Sequence, residues 1–313
     1  MTALVLPSVL LGVSRTMSCE PRGAGWAPSN RGPLGASEAP LLDYMVPTGR
    51  VRIGTWNVSG WSLLRAGVVS DTVKVDILAV QETHLASVML ERSQAAARHR
   101  HGLHLHHGRP VPPSAGGLFG RRCGVGFVAA PGVALSPAPP RGAAWRMLCA
   151  LFRLHAVRLP PRPGLPLGML LVSIYAPLAG TGHQVERSRY TLAMLQFTHE
   201  LDMQVPTLLL GDFNGSAHPH RDYLSGTSHS RPSCPLLVQL LGPGGAWVDV
   251  QAALCAGDLE WTFRNVDTAG QESASRIDLV LANHAAMPLL ESIEVLTSVR
   301  DGGHSPVIVT LRQ

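Results

Sequence analysis

Short hydrophobic runs recur along this chain, and each delivers polar residues at its carboxyl end. The run that most constrains the fold is Leu208-Leu209-Leu210-Gly211-Asp212-Phe213-Asn214, with Val205 just before it. Three consecutive leucines read as a buried sheet strand. In extended chain, positions two apart share a side, so Asp212 and Asn214 face one space at the strand's mouth. A carboxylate that can take a proton beside a neutral amide donor suits the activation of water next to a phosphate. Gly-Asp-Phe-Asn is equally good turn chemistry, so this stretch alone does not decide between a site and a turn.

The same handover occurs elsewhere. Val51-Arg52-Ile53-Gly54-Thr55-Trp56 alternates as a strand should and ends at Asn57. A short helix is expected over 63–70. The run Asp76-Ile77-Leu78-Ala79-Val80 ends at Gln81-Glu82-Thr83-His84. Residues 86–98 read as helix. The histidines that follow (His99, His101, His104, His106 and His107) lack a metal-ligand spacing and read as a solvated loop, continued by Pro and Gly from 110 to 120 and closed by Arg121 and Arg122. Gly124–Ala129 is the next strand, and 131–144 a turn or insertion. Residues 147–157 and 168–175 read as two paired strands. The second ends at Tyr175-Ala176-Pro177, where Tyr175 is either core filler or a mouth residue. Helical spacing covers 184–204, a polar loop 215–232, and a short helix 233–241.

Asp249 closes another apolar stretch, and Trp261–Phe263 is a brief strand followed by a polar loop over 264–275. In Arg276-Ile277-Asp278-Leu279-Val280-Leu281 a carboxylate lies inside a strand, which requires a partner. Arg276 points to the opposite face, so its partner lies elsewhere. Strands over 293–299 and 306–311 end the chain, with Asp301-Gly302-Gly303-His304 between them. His304 is placed to receive Asp278; a surface-loop histidine is the alternative.

Residues 1–49 are rich in Gly, Pro, Ser and Ala without periodicity, and read as a leader, disordered or targeting, ahead of a domain over 50–313. Strands interleaved with helices make that domain mixed α/β or α+β. The chain of 313 residues is 45% hydrophobic, ample for an enzyme-sized core. Its formal charge of +5 fits a polyanionic partner only weakly, and nearly all its cations are arginines, Lys74 being the sole lysine. Five scattered cysteines (Cys19, Cys123, Cys149, Cys234 and Cys255) exclude a disulfide framework or zinc ribbon. No run approaches the about 18 apolar residues of a membrane span. An intracellular site, nuclear or cytoplasmic, is expected, with organelle targeting through the arginine-bearing leader as the alternative.

The mouth residues are Asn57, Glu82, Tyr175, Asp212, Asn214, Asp278 and His304. They include a hard carboxylate for Mg²⁺, an acceptor for the proton of water, neutral donors for phosphate oxygens, and a histidine-acid pair. These are the parts of a metal-assisted phosphodiester hydrolase.

Their order and wording resemble the endonuclease/exonuclease/phosphatase superfamily. The matching pieces are Thr-Trp-Asn at 55–57, Gln-Glu-Thr-His at 81–84, Ile-Tyr-Ala-Pro at 174–177, Gly-Asp-Phe-Asn at 211–214, Ser-Arg-Ile-Asp at 275–278 and Gly-His-Ser-Pro-Val at 303–307. Gln-Glu-Thr-His, Ile-Tyr-Ala-Pro and Trp261-Thr262-Phe263 look most like the apurinic-type endonucleases of non-LTR retrotransposons. The resemblance implies a four-layer α/β sandwich with two central mixed sheets packed face to face and helices outside. It implies a monomeric Mg²⁺-dependent (or Mn²⁺-dependent) DNA endonuclease with no membrane partner. Glu82 would hold the metal with Asn57 nearby. Tyr175 and Asn214 would contact the scissile phosphate, Asp212 would orient or deprotonate water, and His304, held by Asp278, would bind a phosphate oxygen or stabilise the transition state.

Two positions depart from that pattern. Gly303 stands where such families usually have Asp, and Ser59 where many repair enzymes have a second acid. Asp301 is the candidate substitute for the first. The departures keep two alternatives open. One is a catalytically impaired fold that binds nucleic acid or protein; the other is a phosphatase or phosphodiesterase acting on a lipid, inositol phosphate or nucleotide.

Overall fold

The computed structural model describes residues 50–110, 123–178, 181–224, 233–256 and 259–312. Residues 1–49, expected as a leader, most of the Pro/Gly segment at 110–122 and residues 225–232 of the expected polar loop lie outside the described residues. The chain opens with β1 (Arg52–Asn57), α1 (Leu63–Val68, running into a π-helical turn to Val73), β2 (Ile77–Gln81) and α2 (Ser87–His101). Next come β3 (His104–His107), β4 (Val125–Ala129), β5 (Ser136–Pro137), α3 (Ala143–Ala150), β6 (Leu154–Leu159), β7 (Met169–Tyr175), α4 (Gln184–His199) and β8 (Thr207–Asp212). The last third holds α5 (Pro219–Asp222), α6 (Pro235–Leu241), β9 (Trp247–Asp249), α7 (Val250–Leu254), β10 (Phe263–Val266), β11 (Glu272–Ser275), β12 (Asp278–Asn283), β13 (Leu290–Val295) and β14 (Val307–Leu311).

Two mixed sheets of six strands form the centre, in the orders β13-β14-β1-β2-β4-β3 and β5-β6-β7-β8-β12-β9. They face each other through β1 and β2 on one side and β7, β8 and β12 on the other. Ile53, Ile77, Ala79, Phe127, Leu171, Leu208, Leu210, Val280 and Val309 fill the space between them. Alternation places the neighbouring residues on the outer faces. Leu209, Val172 and Leu279 pack with Trp145, Tyr190, Phe197 and Leu237 from α3, α4 and α6. Leu78 and Val80 pack with Ala66 and Ala97 from α1 and α2. The four-layer architecture is therefore the solution to strands that are apolar on both faces.

Register explains why the polar termini converge. β1 and β2 run parallel with Asn57 beside Gln81, while β7 and β8 run parallel with Tyr175 beside Asp212. β12 runs antiparallel to β8 and begins with Asp278 opposite Asp212. Both parallel pairs thus end at the same rim of the sandwich.

Several segments differ from the sequence expectation. The stretch 147–157 is not one strand: α3 occupies Ala143–Ala150 and β6 begins at Leu154. Ala144, Trp145 and Leu148 share a helical face, and Trp145 meets Phe197 of α4 edge-on at 5.3 Å. The polar loop at 264–275 is instead the β10–β11 hairpin. Its turn is closed by the Asp267 carboxylate, which accepts the backbone N–H groups of Ala269 and Gln271. Its strands carry no apolar alternation, so no strand signal marks them. The histidine tract is not a solvated loop either. His99 and His101 end α2, Gly102 turns the chain in a left-handed conformation, and His104–His107 form β3 on β4.

Candidate active site

Asn57, buried at the end of β1, is the junction of the site. Its Nδ2 donates to Glu82 Oε1 at 2.9 Å and to Asp212 Oδ2 at 3.0 Å, tying the first sheet to the second. Its Oδ1 accepts the Ser59 N–H at 3.0 Å, which fixes the amide's orientation. Glu82 lies one residue past β2 at φ +52°, a left-handed conformation that turns its carboxylate toward Asn57. His84 Nε2 stands 3.3 Å from the other carboxylate oxygen, and the Tyr175 hydroxyl lies beside the same group. Burial would raise the Glu82 pKa, but hydrogen bonds from His84, Asn57 and Tyr175 bring it down to about 2. Glu82 is therefore an anion throughout the physiological range.

Asp212 is buried at the end of β8, where its Oδ1 accepts the Asn214 N–H at 2.8 Å. Asn214 takes φ +47°, which Asn tolerates, and its Nδ2 donates to the Ala176 carbonyl at 2.8 Å. The turn reading of Gly-Asp-Phe-Asn is thus realised, and the Asx turn holds Asp212 and Asn214 at the mouth of the strand. Burial, and then the neighbouring Asp278 carboxylate, push the Asp212 pKa well above the usual carboxylate range, against His304 and the two hydrogen bonds. Such a group accepts a proton readily.

Asp278 meets His304 Nδ1 with both oxygens, each at 3.0 Å. Burial would lower the His304 pKa, but Asp278, Asp212 and Glu82 raise it to about 9, so the imidazole is cationic at neutral pH. Phe263 of β10 packs against the ring, tilted by 55° with centroids 4.7 Å apart, while Trp56 Nε1 donates to the His304 carbonyl at 3.2 Å. Thr262 Oγ1 accepts the N–H groups of Ile277 and Asp278 at 3.1 and 3.0 Å, fixing the start of β12. Arg276, next to this start, is buried against Asp222 and Asp249 at 2.9 and 2.6 Å.

All seven residues singled out in the sequence (Asn57, Glu82, Tyr175, Asp212, Asn214, Asp278 and His304) therefore gather at one rim. Three others were not. His84 carried no signal beyond its place in Gln-Glu-Thr-His, Arg153, whose guanidinium stands 4.7 Å from the centre of the Tyr175 ring, lies far from any motif in sequence, and the partners of Arg276 lie 54 and 27 residues away.

The donors present suit a divalent cation. Asp212 and Asp278 offer carboxylate oxygens within 4.8 Å of each other and of the His304 ring, and Glu82 adds a hard carboxylate bound to the same Asn57 amide as Asp212; His304, protonated on both nitrogens, is a neighbour of such a cation and not its ligand. Three buried or half-buried carboxylates face one imidazolium, an excess of negative charge that a cation would offset.

The departure at Gly303 is also explained structurally. Asp301 ion-pairs with Arg65 of α1, so its carboxylate is directed to that arginine. Gly303 takes φ +91°, and a Cβ there would lie 2.5 Å from the Arg264 carbonyl oxygen and 2.8 Å from the Phe263 ring. The β10–β11 hairpin thus occupies the space an aspartate would need.

The fold has counterparts among known proteins. Residues 54–299 match the Endonuclease/Exonuclease/phosphatase family. No sequence among curated proteins matches the chain. Among solved structures, a 3'-5' exonuclease from Neisseria meningitidis, NExo, superposes with a TM-score of 0.63 at 19% identity, covering 84% of this chain and 100% of that one. The catalytic domain of APE2 from Xenopus laevis gives 0.62 at 18% identity, covering 83% of this chain and 91% of that one. An AP endonuclease from Archaeoglobus fulgidus gives 0.61 at 16% identity, covering 84% and 100% respectively. The chain belongs to the Endonuclease/Exonuclease/phosphatase family.

Proposed function

We propose that this protein is a Mg²⁺-dependent phosphodiester hydrolase acting on DNA, an endonuclease of the retrotransposon type. The observation that carries the reading is the Asn57 amide, which joins Glu82 to Asp212 beside a His304 made cationic by Asp278. Glu82, with Asn57 nearby, would hold Mg²⁺, with Mn²⁺ as the substitute. The bound cation would polarise a phosphate oxygen and offset the site's negative charge.

The remaining work belongs to side chains. Asp212 orients water and takes its proton as the water oxygen bonds to phosphorus and the bond to the leaving deoxyribose oxygen breaks. His304 offers Nε2–H to a non-bridging phosphate oxygen, and its charge makes it an anion stabiliser rather than a base. Tyr175 and Asn214 contact the scissile phosphate as neutral donors.

DNA as substrate is supported by the DNA-processing enzymes of the same fold, one of which, NExo, has been solved with a product DNA hairpin. The retrotransposon branch is supported by Gln81-Glu82-Thr83-His84, Ile174-Tyr175-Ala176-Pro177 and Trp261-Thr262-Phe263. No helix among the described residues is long and apolar enough to cross a membrane. We propose the catalytic domain as residues 50–313 and the active form as a monomer. Localisation inside the cell, nuclear or cytoplasmic, goes with a DNA substrate.

A second reading, an impaired nucleic-acid-binding or protein-binding fold, is favoured by Gly303 and by the Arg65 pairing of Asp301. A substrate panel separates the readings: intact duplex, duplex with one abasic analogue, and soluble phosphomonoesters and phosphodiesters, each with Mg²⁺. Cleavage of duplex DNA is expected. Hydrolysis of the small esters alone would overturn the choice of DNA, and binding of DNA without hydrolysis of anything would favour the second reading.

A further inference from the structure

Arg153 precedes β6 and lies under the reacting centre, with no part in the roles assigned above. Its carbonyl accepts the Tyr175 N–H at 3.0 Å, and its guanidinium carbon stands 4.7 Å from the centre of the Tyr175 ring. Nη2 donates to Glu186 Oε1 of α4 at 2.8 Å, while Nε and Nη1 are buried without a hydrogen-bond partner. The side chain is only 7% exposed. A buried cation with unmet donors is costly, and an apolar side chain of similar volume would fill the slot without that cost. Stability alone therefore does not account for a charge at this place.

The Tyr175 ring explains it. An aromatic face attracts a desolvated cation, so the guanidinium and the ring hold each other in a fixed stack. Tyr175 is pinned by the Arg153 carbonyl through its backbone and by the guanidinium through its ring, which leaves the hydroxyl aimed at Glu82. The positive charge beneath the ring also draws electron density from the phenol and strengthens its O–H as a donor. Glu186, 21% exposed, anchors the far end of the guanidinium from α4.

We propose that Arg153 is a positioning residue of this active site, fixing through the ring of Tyr175 the hydroxyl that contacts Glu82 and the scissile phosphate. The proposal rests on the hydrolase reading for its kinetic consequence but not for its structural one.

Four variants test it: Arg153→Met, Arg153→Lys, Tyr175→Phe and the Arg153→Met/Tyr175→Phe double. Arg153→Met is expected to lower kcat for DNA cleavage about tenfold with KM nearly unchanged and at most a small loss of thermal stability, because Glu186, unlike the partners of Arg276, reaches solvent. Arg153→Lys should recover part of the loss. In the Tyr175→Phe background, Arg153→Met should cost less than about twofold, since residues acting as a unit are not additive. Independent, multiplicative losses, or a loss that tracks lowered stability, would overturn the proposal. Should Arg153→Met fail to fold, Glu186→Gln replaces it and is expected to show a smaller loss with the same split between kcat and KM. An arm without activity uses selectively labelled tyrosine and NMR. The Tyr175 hydroxyl proton should exchange slowly in the wild type and fast in Arg153→Met, and equal exchange would contradict the proposal. Wild-type protein that cleaves nothing yet shows this exchange difference would count against the hydrolase reading and for the positioning.

Discussion

Asp278 presents both of its carboxylate oxygens to His304 Nδ1 at 3.0 Å, across 26 residues of chain. The pairing sets both the orientation and the charge of the imidazole. It makes His304 a cation at neutral pH, whose free edge can meet an anionic oxygen.

The His304 pKa, about 9, lies above the about 6.5 of an unfolded histidine. A raised pKa stabilises the folded state fully below the unfolded value, and the contribution is lost as pH rises through the folded one. In metal-free protein, urea unfolding should therefore show the stability advantage of wild type over His304→Ala shrinking between about pH 6.5 and 9, by up to roughly 3 kcal/mol. An advantage that stays constant or grows over this window would refute the assignment.

Arg276 pairs with two buried carboxylates, Asp222 and Asp249, just before the strand that carries Asp278, and the half-exposed Arg221 meets the same two acids from outside. Arg276→Met leaves both acids without that charge. A loss of roughly 3–5 kcal/mol is expected in chemical denaturation, the range for breaking a buried ion pair. A loss below about 1 kcal/mol, the scale of a surface pair, would show the cluster to be solvated.

Gly303 is required by the hairpin that packs on His304. Gly303→Ala should destabilise by roughly 1–3 kcal/mol, because a side chain there is strained at φ +91° and meets the Arg264 carbonyl. Gly303→Asp should destabilise at least as much and yield no gain in hydrolysis. A melting temperature at or above that of the wild type, or enhanced cleavage by Gly303→Asp, would show that the loop has room for the acid.

Much of this site is legible in sequence because several functional side chains close hydrophobic runs. Asn57, Tyr175 and Asp212 are terminal residues of strands whose apolar pattern is strong, and parallel pairing brings strand ends together. Asp278 was marked by its own burial within an apolar strand. What escaped depended on distance or exposure. The partners of Arg276 lie on other elements, and nothing near Arg153 in sequence points to the Tyr175 ring. The β10–β11 hairpin has too little buried surface to leave a period of two, so its packing against Gly303 and His304 had no sequence signature. The segment at 147–157 was misread because a run of apolar residues has no clear period where a helix gives way to a strand.

The most direct test is nicking of supercoiled plasmid with Mg²⁺ and with a chelator, by wild type beside His304→Ala. Metal-dependent nicks that fall at least about a hundredfold in the variant are expected, the scale for removing a charged transition-state donor. Correctly folded wild type that leaves the plasmid intact, or nicking that persists in His304→Ala, would contradict a hydrolytic centre built on Asp212, Asp278 and His304.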